Sequence, residues 1–153
     1  MTEDTDRIER HIHLGAPRSR VWQALIQPKA FGEWFGVALQ GEVFIEGEAA
    51  RGRITIPGYE HLKFEFLVDC IEPERRFGFR WHPYAVDPEK NYDDEPTTLV
   101  MFELEDAPGG TLLRVVESGF DAIPVERRAE AFRMNSHGWE EQMGNIQRYV
   151  ATH

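Results

Sequence analysis

The stretch "PVERRAEAFRMNSHGWEEQMGNIQRYV", Pro124 to Val150, decides the fold because it predicts one long helix with a single apolar stripe. Val125, Ala129, Phe132, Ser136, Trp139, Met143, Ile146 and Val150 step by four and three residues in turn, which keeps them on one side of a helix. At 1.5 Å per residue such a helix is about 40 Å long, enough to cross a whole sheet. Pro124 and Glu126 suit its N-terminus. Gly138 and Gly144 weaken a helix and are expected only where strong packing offsets their cost.

A stripe of that length needs an apolar surface, and the preceding sequence offers one. From Val37 to Phe120, Gly41, Gly47, Pro57-Gly58, Pro73 and Pro108-Gly109-Gly110 punctuate runs of strand composition, the pattern of a β-meander. Phe64, Phe66, Val68 and Cys70 share one parity; so do Val100, Phe102 and Leu104, and likewise Leu113, Val115, Glu117 and Gly119. In "RRFGFRWHPY" Phe77, Phe79 and Trp81 alternate with Gly78, Arg80 and His82. The meander therefore carries one dry face, which the terminal helix is expected to cover, while Arg80 and His82 belong on the solvated outside.

Upstream, "DRIERHIHL" sets Ile8, Ile12 and Leu14 against Arg7, Glu9, His11 and His13, the period of a half-buried strand. Arg10 interrupts its apolar row, where it could pair with a buried acid for structural reasons. "APRSRVWQALI" reads as a short amphipathic helix with Pro17 in its first turn. Pro28 ends or kinks it, and "KAFGEWFG" adds a helical turn carrying Phe31, Trp34 and Phe35 before Gly36 releases the chain. One connection is long: the acidic, Pro-containing loop over residues 83–98, which is either functional or disordered.

Composition narrows the function classes. A chain of 153 residues fits one domain, 1–153, able to bury roughly 70% of its unfolded surface. The formal charge of −10 disfavours nucleic acid and anionic membranes as partners. Cys70 is the only cysteine, so no intrachain disulfide can form, and an iron–sulfur cluster, which takes about four thiolates, is not expected. The start "MTEDTDRIER" has neither the basic end nor the apolar run of a signal peptide, and no run approaches the roughly 20 apolar residues of a membrane span, so a cytoplasmic location is expected.

The order of these elements, with "APRSRVWQAL", "FGEWFG", "IEPERRFGFRW", "GGTLLRVVESGF" and "GWEEQMGNIQRYV", resembles the activator-of-heat-shock-protein-90-ATPase-like branch of the SRPBCC superfamily, also called START or birch-pollen-allergen-like. The resemblance covers nearly the whole chain. It implies an α+β helix-grip fold: a curved antiparallel sheet of about six to seven strands wrapped around a long C-terminal helix, with two short helices after the first strand. It also implies a cavity between sheet and helix. By parity and helical phase, the side chains expected to line it are Trp34, Phe64, Phe66, Phe79, Trp81, Phe102, Glu117, Phe132, Asn135, Trp139 and Met143. Aromatic residues at such positions also serve simply to fill a core. Glu117 points inward or sits at the open end of the sheet, and Asn135 faces the pocket or its rim. Phe77, Phe79 and Trp81 are expected to meet Phe132, Trp139 and Met143.

No catalytic signature is present. His11-x-His13 is an ordinary pair on a wet strand face, and no metal is expected. Ser118 lacks the G-x-S-x-G elbow. Cys70 reads as an inert core residue. "GEVFIEGEAARGR" is neither a phosphate loop nor a dinucleotide fingerprint, so no cofactor is expected. The leading expectation is binding of a small hydrophobic or aromatic molecule, by a monomer or homodimer. The alternative is a cyclase or dehydratase acting in the same cavity, which needs polar groups converging there. Co-chaperone activity is a weaker reading, since the activating protein of that family carries a further N-terminal domain and here the first strand starts within about ten residues of Met1. The acidic segment from Asp87 to Glu95 could instead recruit a basic partner.

Overall fold

The structure is a computed structural model in which residues 6–84, 87 and 89–153 are described. Strand β1 (Arg7–Leu14) is followed by helices α1 (Arg18–Ile26) and α2 (Pro28–Phe35). Six strands come next: β2 (Val37–Leu39), β3 (Ala49–Ile54), β4 (Lys63–Glu72), β5 (Arg76–Trp81), β6 (Thr98–Ala107) and β7 (Gly110–Ser118). A short 3₁₀ turn, Phe120–Ala122, leads into α3 (Val125–Thr152). All neighbouring strands are antiparallel, in the order β1-β7-β6-β5-β4-β3-β2, and form a curved open sheet around α3.

Proline chemistry sets the α1–α2 corner. Gln27 precedes Pro28 and is extended, at φ −92° and ψ 120°, because the proline ring disfavours helical backbone in the residue before it. One helix therefore stops and Pro28 starts the next. Pro17 sits just outside α1, at its N-cap, rather than in the first turn. Gly36 closes α2 at φ 94°, the left-handed conformation that favours glycine.

The predicted apolar parities hold in β5, β6 and β7, but β4 carries a bulge. Val68 pairs with Phe79, Cys70 with Gly78 and Ile71 with Phe77. The extra residue reverses the facing of everything after it, so Ile71, not Cys70, continues the inner row. Cys70 lies half-buried on the outer face beside Gly78, which corrects its assignment to the core. Gly78 itself has Met101 over it: an added Cβ would come within 2.7 Å of Met101 Cε.

The α3 stripe is also only half as predicted. Trp139, Met143, Ile146 and Val150 are buried, but Val125 is 75% exposed, Ala129 is exposed and Ala131 is the buried residue of the first turns. The helix packs on β1, α1, α2 and the 3₁₀ turn. Among the described residues Arg10 pairs with no acid: it donates to Ser136 Oγ on α3 at 2.6 Å and to the Glu9 carbonyl at 2.8 Å.

Between sheet and helix lies a continuous aromatic core. Phe31, from α2, is fully buried against Trp34, Phe35, Phe44, Phe66, Phe77 and Phe79 at centroid distances of 4.8–6.4 Å. Phe66 stacks on Phe79 at 4.0 Å. Such contacts add to the burial of the rings themselves. Among the described residues no helix is long and apolar enough to cross a membrane.

Candidate functional site

Strand alternation turns Glu117 inward on β7, where it is 0% exposed. An ionisable side chain in that position needs its polar atoms satisfied. Glu117 Oε2 accepts from Trp81 Nε1 at 2.6 Å, Thr98 Oγ1 at 2.6 Å and Asn135 Nδ2 at 3.2 Å. Its Oε1 accepts from Trp139 Nε1 at 2.8 Å and Asn135 Nδ2 at 3.0 Å. An indole N–H and an amide NH₂ are donors only, so this shell is matched to the lone pairs of a carboxylate. The donors come from β5, β6 and α3, and Glu117 thereby ties the helix to three adjacent strands.

Next to this knot is a cavity of about 120 Å³, lined by Phe35, Trp81, Asn135, Gly138, Trp139, Glu141 and Gln142. Three of those residues, Trp81, Asn135 and Trp139, are among the four donors that hold Glu117. Gln142 Nε2 donates to the Phe35 carbonyl at 2.9 Å, fixing the end of α2 against α3. Phe35, Trp81 and Trp139 lie 5.9–6.0 Å apart, centroid to centroid, and Phe64 adds a fourth ring, 5.5 Å from Phe35 and 5.9 Å from Trp81. The result is an aromatic collar with a buried carboxylate behind it. Gly138, expected under tight packing, has nothing within 4 Å of an added Cβ, and Gly144 would meet only the Arg148 side chain, at 3.3 Å. Open space, rather than packing, surrounds Gly138.

Of the eleven residues expected to line a pocket, the structure brings Trp81, Glu117, Asn135 and Trp139 together at this knot, with Phe64 beside them. Phe66, Phe79 and Phe102 are buried in the ring core, and Met143 joins the same cluster one helical turn beyond Trp139. Phe132 does not meet the β5 aromatics; it packs against Phe120 at 5.2 Å. Trp34 donates its Nε1 to the Ala24 carbonyl at 2.8 Å and lines a different, wider groove of about 540 Å³ between α2 and the last turns of α3. That groove is larger, but no buried carboxylate stands behind it. On its wall Tyr149 has its hydroxyl pushed above the ordinary range by burial, and then by the Glu33 carboxylate. Five residues of the smaller site escaped the sequence: Phe35, Gly138, Glu141, Gln142 and Thr98. Thr98 shares parity with Val100 and Phe102, a signal that places it inside.

The acidic loop is tied down. Arg127, in the first turn of α3, donates to Glu95 Oε1 at 2.9 Å and to the carbonyls of Tyr84 and Pro83 at 3.0 and 2.7 Å. Its guanidinium also lies 4.8 Å from the centre of the Tyr92 ring. Burial works to raise the Glu95 carboxyl, but hydrogen bonds and charge from Lys90 and Arg127 outweigh it and hold the group below its ordinary range. Ala85, Val86 and Pro88 of this loop lie outside the described residues. On the outer sheet face Arg80 lies 3.4 Å from Asp69, while His82 contacts the Glu95 carbonyl. Among the described residues no group of three His, Cys, Asp or Glu side chains is arranged to hold a metal.

No curated protein matches the chain. Among solved structures, a protein of Arthrobacter aurescens superposes with a TM-score of 0.80 at 16% identity, covering 99% of this chain and 91% of that one. A protein of Mesorhizobium loti gives 0.73 at 20% identity, covering 95% and 97%. DynU16, from the dynemicin biosynthetic locus, gives 0.72 at 26% identity over 98% of this chain and 48% of its own. The sequence model for "Activator of Hsp90 ATPase homolog 1-like protein" matches residues 15–151, nearly the entire described structure, and the chain belongs to that family.

Proposed function

We propose that the protein binds a small apolar or aromatic molecule in the cavity between α2, β5 and α3. The fold is of a ligand-binding type, and the observation that carries the reading is Gly138. A mid-helix glycine costs about 1 kcal/mol relative to alanine, and here it lines the pocket beside the rings with nothing within 4 Å of an added Cβ. Stability has been given up where a side chain would occupy the cavity. At about 120 Å³ the space approaches the ~150 Å³ apolar cavity known to take benzene, so it suits one ring or a compact branched group, with any remainder passing out between the helices.

Binding stands ahead of catalysis because Glu117, the one buried carboxylate among the described residues, already accepts from four side chains. A general acid or base needs a lone pair or proton directed at the substrate.

Replacing Gly138 by Leu tests the reading. The variant is expected to fold with unchanged or higher melting temperature and to lose the thermal stabilisation that single-ring compounds give the parent protein. A parent protein that no such compound stabilises, and from which native mass spectrometry finds no copurified small molecule, would overturn it.

A further inference from the structure

Resting on that reading of the cavity, we propose that its ligand carries a compact organic cation, a protonated amine or a quaternary ammonium group. Four features of the site converge on that chemistry.

The first is the unpaired carboxylate. Buried charges are ordinarily paired with an opposite charge, yet the side chains reaching Glu117 are two indoles, a hydroxyl and an amide, all neutral. Among the described residues no Lys, Arg or His donates to it. The cavity adjoins the donor shell, since Trp81, Asn135 and Trp139 belong to both. A cation seated there supplies the missing charge without direct contact, across the Trp81, Asn135 and Trp139 side chains, which screen the pair less than bulk water does.

The second is the collar. Phe35, Trp81 and Trp139 form a nearly equilateral triangle of centroids, 6.0, 6.0 and 5.9 Å on its sides. A cation resting over that triangle lies within about 6 Å of all three ring centroids. Tryptophan is the strongest of these partners.

The third feature links the first two. Both indoles donate their N–H to the same carboxylate, at 2.6 and 2.8 Å. Hydrogen bonds polarise the groups that make them. Donation to an anion pushes electron density back into the indole ring, which deepens the negative face offered to a cation. Glu117 thus acts on the ligand through the tryptophans, as a positioning residue that also tunes them.

The fourth is the mouth. Glu141 and Gln142 stand there, and among the described residues no Lys or Arg lines the cavity. Glu141 lies 3.2 Å from His137 Nε2 and is well exposed, so its carboxylate remains open to an arriving ligand. The chain's formal charge of −10 favours approach of cations over anions.

Phenyltrimethylammonium and tert-butylbenzene have nearly the same shape and differ in charge, and this pair separates the two proposals. Binding is read by calorimetry and by quenching of tryptophan fluorescence. The cation is expected to bind about tenfold or more tightly than its neutral isostere. Glu141→Gln should weaken the cation about twofold to fivefold while leaving the isostere unchanged, and Gly138→Leu should abolish both. Equal affinities, or a preference for tert-butylbenzene, would overturn the cation proposal and leave apolar binding in place. Failure of both compounds to bind would overturn both proposals, as would binding of either that survives in Gly138→Leu.

Discussion

Replacing Glu117 by Gln keeps the shape of the side chain but turns one acceptor oxygen into a donor, which then faces indole, hydroxyl and amide donors in the interior. At least one of those donors is left without a partner, and leaving a buried donor unsatisfied costs about 1–3 kcal/mol. Loss of the charge-assisted bonds adds to this, so Glu117→Gln is expected to lower unfolding stability by about 2–4 kcal/mol, measured from the urea midpoint. Trp139→Phe removes one donor but leaves the carboxylate three others, and should cost less. If Glu117→Gln unfolded at the parent midpoint, the knot would hold nothing together. Cys70 is a second residue whose setting decides its chemistry. Burial, and then the carboxylates of Glu72, Glu46 and Asp69, push its thiol above the ordinary range. Less thiolate is present at neutral pH than in a free cysteine, and the thiolate is the reactive form. Alkylation by iodoacetamide should therefore run slower than in an unfolded control at neutral pH, and the rate should go on climbing at pH values where the control has levelled off.

At the scale of elements, Arg127 joins the first turn of α3 to the long β5–β6 connection, and both ends of that connection serve the Glu117 knot: Trp81 just before it and Thr98 just after. Arg127 and Glu95 are only 13% and 11% exposed, so their contact is screened less than a surface pair. Arg127→Ala should destabilise the protein by about 2–3 kcal/mol and speed hydrogen exchange first in the amides of residues 89–98. The acid dependence has a definite sign. Glu95 titrates below its ordinary value of 4.5 in the folded protein, so its contribution is fully present above that ordinary value and is lost as pH falls through the lower, folded one. Loop protection should fade over that acid window in the parent, and in Arg127→Ala it should start lower and fade less, since only Lys90 then pairs with Glu95. This latch was illegible in the sequence, because Arg127 is one basic residue beside another, Arg128, and only the path of the loop distinguishes them. Strand β4 shows the opposite case: its parity was read correctly from Phe64 to Val68 and failed at Cys70, since one bulge residue carries no marker in composition but reverses every position after it. The stripe of α3 was legible from Trp139 to Val150, where the protein's core selects the face, and only partly legible before it, where Phe132 packs on Phe120 but Ala131 is buried in place of Val125 and Ala129.

For the whole molecule, fold and site were readable to different depths for a physical reason. Alternation in β5, β6 and β7 and the proline and glycine punctuation report burial directly, whereas the convergence of Trp81, Asn135 and Trp139 on Glu117 depends on how far α3 sits along the sheet, which no local pattern encodes. The same limit hides how much of the interior is filled. The sequence admits both a filled aromatic core and an open cavity; in the fold, rings from α2 occupy the volume under β4 and β5, and a small pocket lies at the collar. Phe31 governs that division, since its ring supports Phe35 at 4.8 Å on one side and the buried Phe66, Phe77 and Phe79 on the other. Phe31→Ala should cost about 3–5 kcal/mol, the range for removing a fully buried ring. It should also let Phe35 withdraw into the vacated volume, so that two-ring compounds too large for the parent bind the variant and recover part of its lost melting temperature in proportion to their concentration. Loss of stability without any gain in the size of ligand accepted would mean that the ring core and the collar are mechanically independent, and that Trp81 and Trp139 alone set the dimensions of the cavity.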